Sequence, residues 1–260
     1  MFSALKTAIK NLFKNYFKRQ PYCSCLLSCN KKVTDVAAKH GHLDCLIWAH
    51  QNGYYWDSIT SEVAAKNGHL DCLRYLHENG CAWNEWIPRA AANNGHLDCL
   101  RYAHENGCQW TGSTTEWAAL GGHLDCLKYA HENGCDWDWN TTAYAATEGH
   151  LDCLRYAHEN GCEWNWITSW GAARNGQLEC LIYTHENGCP WDENTTCFAS
   201  QNGHFNCLRY AIENGCPYDP KNKKIMKFIS DLECLKKITE KVSENYLSSN
   251  VAKHIIVKYV

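Results

Sequence analysis

Histidine and cysteine recur three residues apart along this chain, as at His42/Cys45, His69/Cys72, His96/Cys99, His123/Cys126 and His150/Cys153. On a helix that spacing puts both side chains on one face, which is how two ligands of a zinc site begin. A structural zinc needs four ligands in one tetrahedron at about 2.0–2.3 Å. Here the His belongs to a Gly-His turn and the Cys to an apolar stripe, so the pairs read as a turn hydrogen bond and a packed thiol. Cys23, Cys25 and Cys29 form a separate cluster of irregular spacing; metal or redox chemistry is one reading of it, and ordinary core cysteines are the simpler one. Catalysis needs one unique set of nucleophile, base and oxyanion donors. Almost every His, Asp, Glu and Cys here belongs to a repeated column instead. There is no phosphate-binding Gly-rich loop and no nucleophile elbow. The sequence therefore points to no catalytic residue, no metal site and no cofactor.

The elements that carry these residues follow from the repetition itself. Gly-His-Leu-Asp-Cys-Leu opens at Gly41, Gly68, Gly95, Gly122 and Gly149, and looser copies keep the 27-residue step at Gly176, Gly203 and Ser230. A fixed period of this length marks units that bury their apolar faces against one another, giving an elongated solenoid. In the unit from Asn84 to Trp110, Asn84 starts a helix to about Asn93, Gly95-His96 turns the chain, and a second helix runs from Leu97 to Asn106. Leu97, Leu100 and Ala103, widened by Cys99 and Tyr102, make its buried stripe. Asp98, Arg101 and Glu105 lie opposite at spacings that allow two ion pairs. Asn106-Gly107 ends the helix in a left-handed turn, and Cys108 and Trp110 follow as a strap over the next unit. Trp56, Trp83, Trp137, Trp164 and Trp191 repeat that strap, and Tyr218 ends it.

Fourteen of the eighteen cysteines fall in two register-locked series, one from Cys45 to Cys234 and one from Cys81 to Cys216. Equivalent positions on packed helices lie about 8–10 Å apart, beyond the Cα separation of about 4.4–6.8 Å that a disulfide needs. The reading is buried, reduced thiols and a reducing intracellular location, the cytoplasm. Asn140-Thr141-Thr142 and Asn194-Thr195-Thr196 match the glycosylation pattern, yet both sit where a helix starts and Asn or Thr would act as caps. The charge is uneven: residues 30–219 hold 24 acidic and 11 basic side chains, whereas residues 1–29 and 220–260 are each +5. An acidic array lacks the Lys/Arg surface that a phosphate backbone requires, so nucleic acid is not an expected partner.

Three regions result. Residues 1–29 are a basic segment whose Phe2, Leu5, Ile9, Leu12, Phe13 and Tyr16 form one side of an amphipathic helix; it either caps the array or attaches to an anionic membrane. Residues 30–218 are seven 27-residue repeats, and residues 219–260 are a degenerate eighth repeat and C-terminal cap.

The Ala91-Ala92-Asn93-Asn94-Gly95-His96 phrase, its aliphatic helix and the closing Asn106-Gly107-Cys108 resemble the second half of the ankyrin consensus, in unit after unit over about 190 residues. The usual period of about 33 residues is shortened at the position where that family carries its β-hairpin finger, so the finger is expected to be absent or vestigial. The shortened form resembles the ankyrin-type families of giant DNA viruses and some protists. The resemblance implies an all-α, right-handed solenoid of stacked helical hairpins and a non-enzymatic scaffold for protein partners, without a small-molecule substrate.

Differences between units locate the surface available for a partner. The pair Ala64-Ala65 recurs at Ala91-Ala92, Ala118-Ala119, Ala145-Ala146 and Ala172-Ala173, whereas the columns through Ile59, Glu62, Val63 and Lys66 change chemistry from unit to unit. These four positions form one helical stripe. Stacked together they hold Trp86, Arg89, Trp117, Tyr144, Trp170 and Arg174, residue types that dominate interface hot spots. Two readings are open: the band binds a protein, or its aromatics fill wedges between units.

Overall fold

The computed structural model describes residues 32–248, with side chains through residue 242. The basic segment 1–29 and its Cys23, Cys25 and Cys29 lie outside the described residues. Within them there are fifteen helices and no strand. Seven hairpins come first: α1 (Val33–Lys39) with α2 (Leu43–Gln51), α3 (Ser58–Lys66) with α4 (Leu70–Glu78), α5 (Trp86–Asn93) with α6 (Leu97–Glu105), and α7 (Ser113–Leu120) with α8 (Leu124–Glu132). The others are α9 (Trp139–Glu148) with α10 (Leu151–Glu159), α11 (Trp166–Asn175) with α12 (Leu178–Glu186), and α13 (Glu193–Gln201) with α14 (Phe205–Glu213). A single long helix, α15 (Lys223–Ser248), closes the array. This is an all-α helical-repeat solenoid, and no unit carries the hairpin finger.

Helix starts are set by short polar side chains. Asp57, Asp138, Asn165 and Asp192 each accept from the backbone N–H two residues on, satisfying one of the donors that a helix leaves free. Asn84 does the same for the Trp86 N–H at 3.1 Å. The caps assigned to Asn140 and Asn194 fall two residues too late, because Asp138 and Asp192 hold the cap and each Asn amide leans back onto that carboxylate. Thr142 and Thr196, in contrast, are fully buried. Their hydroxyls bridge the first turn of their own helix to a backbone carbonyl 21 residues on.

Both turns of each unit end a helix in the same way. At the first, the Gly95 N–H bonds the Ala92 carbonyl and the His96 N–H the Ala91 carbonyl; at the second, the Cys108 N–H bonds the Ala103 carbonyl at 2.9 Å. These are Schellman-type closures around a glycine with positive φ. Gly122 shows why the first turn allows nothing larger. Its φ is +73°, and a Cβ there would run into the His150 ring of the next unit.

First helices of successive units pack closely along the whole array, while second helices touch far more sparsely. Small side chains are the cause. Ala64-Ala65, Ala91-Ala92, Ala118-Ala119, Ala145-Ala146 and Ala172-Ala173 are all fully buried at that contact, so backbones approach one another there and the second helices splay. Both cysteine columns are buried as well, except Cys234 at the end of the first, which is exposed; Cys197, outside the columns, is half-buried. Cys81, Cys108, Cys135, Cys162, Cys189 and Cys216 donate to the backbone carbonyl 24 positions earlier, just before each first helix, closing each unit on its own start.

The ion pairs suggested for Asp98, Arg101 and Glu105 do not form. Arg101 instead lies over the Tyr129 ring of the next unit, 5.4 Å from its centroid, and Arg74, Lys128 and Arg155 do likewise over Tyr102, Tyr156 and Tyr183. A cation on an aromatic face keeps its hydration on the open side, whereas exposed ion pairs on a helix contribute only a few tenths of a kcal/mol, about 0.2–0.5 each.

The eighth copy of the phrase begins with Ser230-Asp231 where the others have Gly-His or, at Gly176, Gly-Gln. No glycine breaks the chain there, and α15 runs straight through the position as one helix rather than a hairpin. Ile225 is fully buried, and Phe228 and Ile229 pack on the last unit.

Candidate protein-binding face

The six residues singled out from the sequence lie on the first helices, on the side turned away from the Ala-Ala contact. In α3 the stripe residues Ile59, Glu62, Val63 and Lys66 are exposed or half-buried, while Thr60, Ser61, Ala64 and Ala65 between them are fully buried. The helical period alone separates face from core.

The structure gathers the six into two clusters with Tyr144 between them. In the first, the Arg89 guanidinium sits 4.0 Å from the Trp86 ring centroid and 5.2 Å from that of Trp117, so one cation is held by aromatic rings of two neighbouring units. Glu116 is half-buried beside them, with Asn140 donating to its carboxylate at 3.5 Å. Burial, then the nearby Asp138 charge, push the Glu116 carboxyl above its ordinary range, against the opposing pull of Asn140 and Arg89. In the second cluster Trp170 packs on Phe198 with ring centroids 5.0 Å apart, and Arg174 lies over both, at 5.7 and 5.8 Å. Gly171, next to Trp170, is buried against the neighbouring unit, where any side chain would meet Thr147.

Exposure divides the group. Trp86 (47%) and Tyr144 (39%) present large apolar surfaces to solvent, whereas Trp117, Trp170 and Arg89 are half-buried in the contacts between units. The Arg89 Nε and the Trp170 indole N–H are buried without a hydrogen-bond partner among the described residues. Half the band thus fills wedges and half stands free.

The sequence reading overlooked Trp166, which is 45% exposed and stacks near Trp170 at 6.3 Å. Its signal was available: the column through Ser58, Glu85, Gly112, Trp139, Trp166 and Glu193 varies as widely as the other four.

A second arrangement was missed on the other side of the hairpins. His104 stacks on Trp110 of its own unit at 3.8 Å, and its Nδ1 lies 3.0 Å from the Tyr129 hydroxyl of the next; Trp110 meets the edge of the same Tyr at 6.1 Å. The same His, Trp and Tyr rings meet six times, from His50/Trp56/Tyr75 to His185/Trp191/Tyr210. The strap tryptophans are therefore half-buried between units, with the repeated His as their base.

The turn histidines act across units too. His69 Nε2 lies 3.1 Å from the Lys39 carbonyl and His150 Nε2 3.1 Å from that of Leu120, each thirty residues earlier. Burial, then His150 and His96, hold the His123 imidazole below its ordinary range. The cysteine three residues on points into the core, and among the described residues no three His, Cys, Asp or Glu side chains are grouped to hold a metal ion. Burial pushes the Cys99, Cys126 and Cys153 thiols up to about 12, so they stay protonated and unreactive at neutral pH.

Among the described residues no helix is long and apolar enough to cross a membrane. No curated protein matches the chain, so the likeness to giant-virus and protist families rests on phrasing alone. The family model described as ankyrin repeats (3 copies) matches residues 61–137. Ankyrin repeats are therefore present in this chain, and such repeats are in general protein-interaction scaffolds.

Proposed function

We propose that this chain is a non-enzymatic intracellular scaffold that binds a protein through the variable face of its first helices. The observation that carries the reading is the exposure of Trp86, Tyr144 and Trp166 beside Arg89 and Arg174, on a face the core does not require. Exposed aromatics flanked by arginine are what interface hot spots are made of, and in repeat arrays a shared surface of this kind is where partners engage. The test is affinity capture followed by mass spectrometry, repeated with Trp86→Ala and Tyr144→Ala. A partner lost on both substitutions, with the helical spectrum intact, supports the face. Capture unchanged in both would move the binding site elsewhere. The alternative is a membrane-peripheral adaptor held by the basic N-terminal segment; it requires flotation with anionic liposomes by the intact chain and none by a chain lacking residues 1–20.

A further inference from the structure

We propose that Asn175 is a site of spontaneous deamidation, converting to aspartyl and isoaspartyl ahead of the other asparagines that precede glycine. The chain holds eleven Asn-Gly sequences, and the fold locks ten of them.

Asn-Gly is prone to this reaction because glycine places no side chain in the way of ring closure. The deprotonated backbone nitrogen of Gly176 attacks Cγ of Asn175, an N–Cγ bond forms, the Cγ–Nδ2 bond breaks, and ammonia leaves with a proton. Water then opens the cyclic imide at either carbonyl, giving an aspartyl or an isoaspartyl residue with no change of oxidation state. Two groups must come loose first. The side-chain amide has to swing round to the following nitrogen, and the glycine N–H has to give up its own hydrogen bond.

At all seven second turns both groups are held. The amide donates to the carbonyl four residues earlier at 2.8 Å, as Asn79 does to Tyr75 and Asn106 to Tyr102. The glycine N–H bonds the carbonyl three residues earlier at 2.9–3.2 Å. At the first turns Asn67, Asn94 and Asn202 make the same amide bond, to Val63, Ala90 and Phe198. The Asn175 amide makes no hydrogen bond among the described residues, and the residue is exposed. Its glycine is also the least firmly held of the eleven. The Gly176 N–H is shared between the Ala172 and Ala173 carbonyls, and its 3.4 Å to Ala173 is the longest of these bonds.

The difference lies in where the helix stops. α3 and α5 release the chain at Asn67 and Asn94, which take the cap position at φ −103° and −109°. From there each amide folds back onto the last turn. α11 keeps Asn175 as its last helical residue and turns at Gly176 instead. Helix ends fray, and here no side-chain bond resists it. Conversion places a carboxylate beside Arg174, whose guanidinium lies over Trp170 and Phe198. The isoaspartyl form also adds a methylene to the main chain just before Gly176, where the His204 ring of the next unit packs.

The test incubates the full chain at neutral pH and physiological temperature, with a parallel sample held unfolded in guanidinium chloride. Proteolysis and mass spectrometry read the amide-to-acid conversion at each Asn-Gly. In the folded chain Asn175 should lead every other Asn-Gly by about fivefold or more, the factor that one hydrogen bond of about 1 kcal/mol imposes. In the unfolded chain that lead should vanish, and Asn175→Gln should remove the leading product from the folded one. Conversion at Asn79, Asn94 or Asn202 as early as at Asn175 would overturn the proposal. So would a lead that persists in the unfolded chain, or an Asn175 that stays intact while the unfolded chain converts fully.

Discussion

The second helices and the open face of the first helices are both rich in aromatic side chains, and they use them in opposite ways. Along the second helices His, Trp and Tyr interlock in the same geometry six times, with the Tyr ring of one unit received by the His and Trp of the unit before. Along the first helices the aromatics fall in different columns in different units, and three of them stand exposed. The difference lies in where the partner comes from. A residue present in every unit meets its complement at the same offset each time, so a single contact is reused down the stack. A residue present once has no such guaranteed partner, and it remains at the surface unless a chance neighbour, such as Arg89 for Trp117, covers it.

The largest expected effect separates the two regions by pH. All the buried thiols with raised values belong to the repeated columns, with Cys72, Cys108, Cys135, Cys189 and Cys207 at about 11 and Cys99, Cys126, Cys153, Cys162, Cys180 and Cys216 at about 12. An unfolded thiol titrates near 8.5. The folded state therefore holds protons that the unfolded state releases, and stability is full below about pH 8.5 and falls as pH rises toward the folded values. Each thiol contributes a slope of about 1.4 kcal/mol per pH unit in that window. Circular dichroism against pH should show steep cooperative unfolding in mild alkali, and a helical signal unchanged to pH 11 would contradict the burial described.

Next in size is the contrast between Trp137 and Tyr144. Trp137 stacks on His131 at 3.7 Å and meets the Tyr156 edge, so Trp137→Ala should cost about 3 kcal/mol, the low end for removing a Trp because the ring is only half-buried. Tyr144→Ala should stay within about 0.5 kcal/mol, as exposed substitutions do. Urea unfolding measures both, and equal losses would place the open face in the core.

Two glycines sharpen the comparison within the repeated side. Gly122 and Gly134 have φ of +73° and +79°, but an added Cβ meets the His150 ring at the first and nothing within 4 Å at the second. Gly134→Ala should cost about 1–2 kcal/mol for left-handed backbone, and Gly122→Ala clearly more. Identical losses in thermal denaturation would mean that the His ring does not pack there. The smallest effect concerns one hydroxyl. Tyr129→Phe removes the contact to His104 at 3.0 Å and keeps the ring, so stability should fall by about 0.5–1.5 kcal/mol. A loss matching Trp137→Ala would indicate that the ring itself has moved.

Much of this fold is legible in the residues because it is governed by local rules. The 27-residue step, the glycine at each turn, the alternation of Ala-Ala with variable positions and the two cysteine columns all report the environment of a residue within its own unit. The variable stripe was legible for the same reason, since a period of 3.6 separates the solvent side of a helix from its packed side. Contacts between units were not. Arg101 chose the Tyr129 ring over Asp98 and Glu105, and His104 reached a Tyr hydroxyl 25 residues away. Which of Trp86, Trp117, Trp166 and Trp170 stands free and which is wedged likewise depends on neighbours one unit along. Sequence by itself determined the hairpin, its length and its two faces. Only the stacking of one unit on the next decided the partners, because the spacing and tilt between units arise from the small-residue packing of whole helices, and no single unit encodes them.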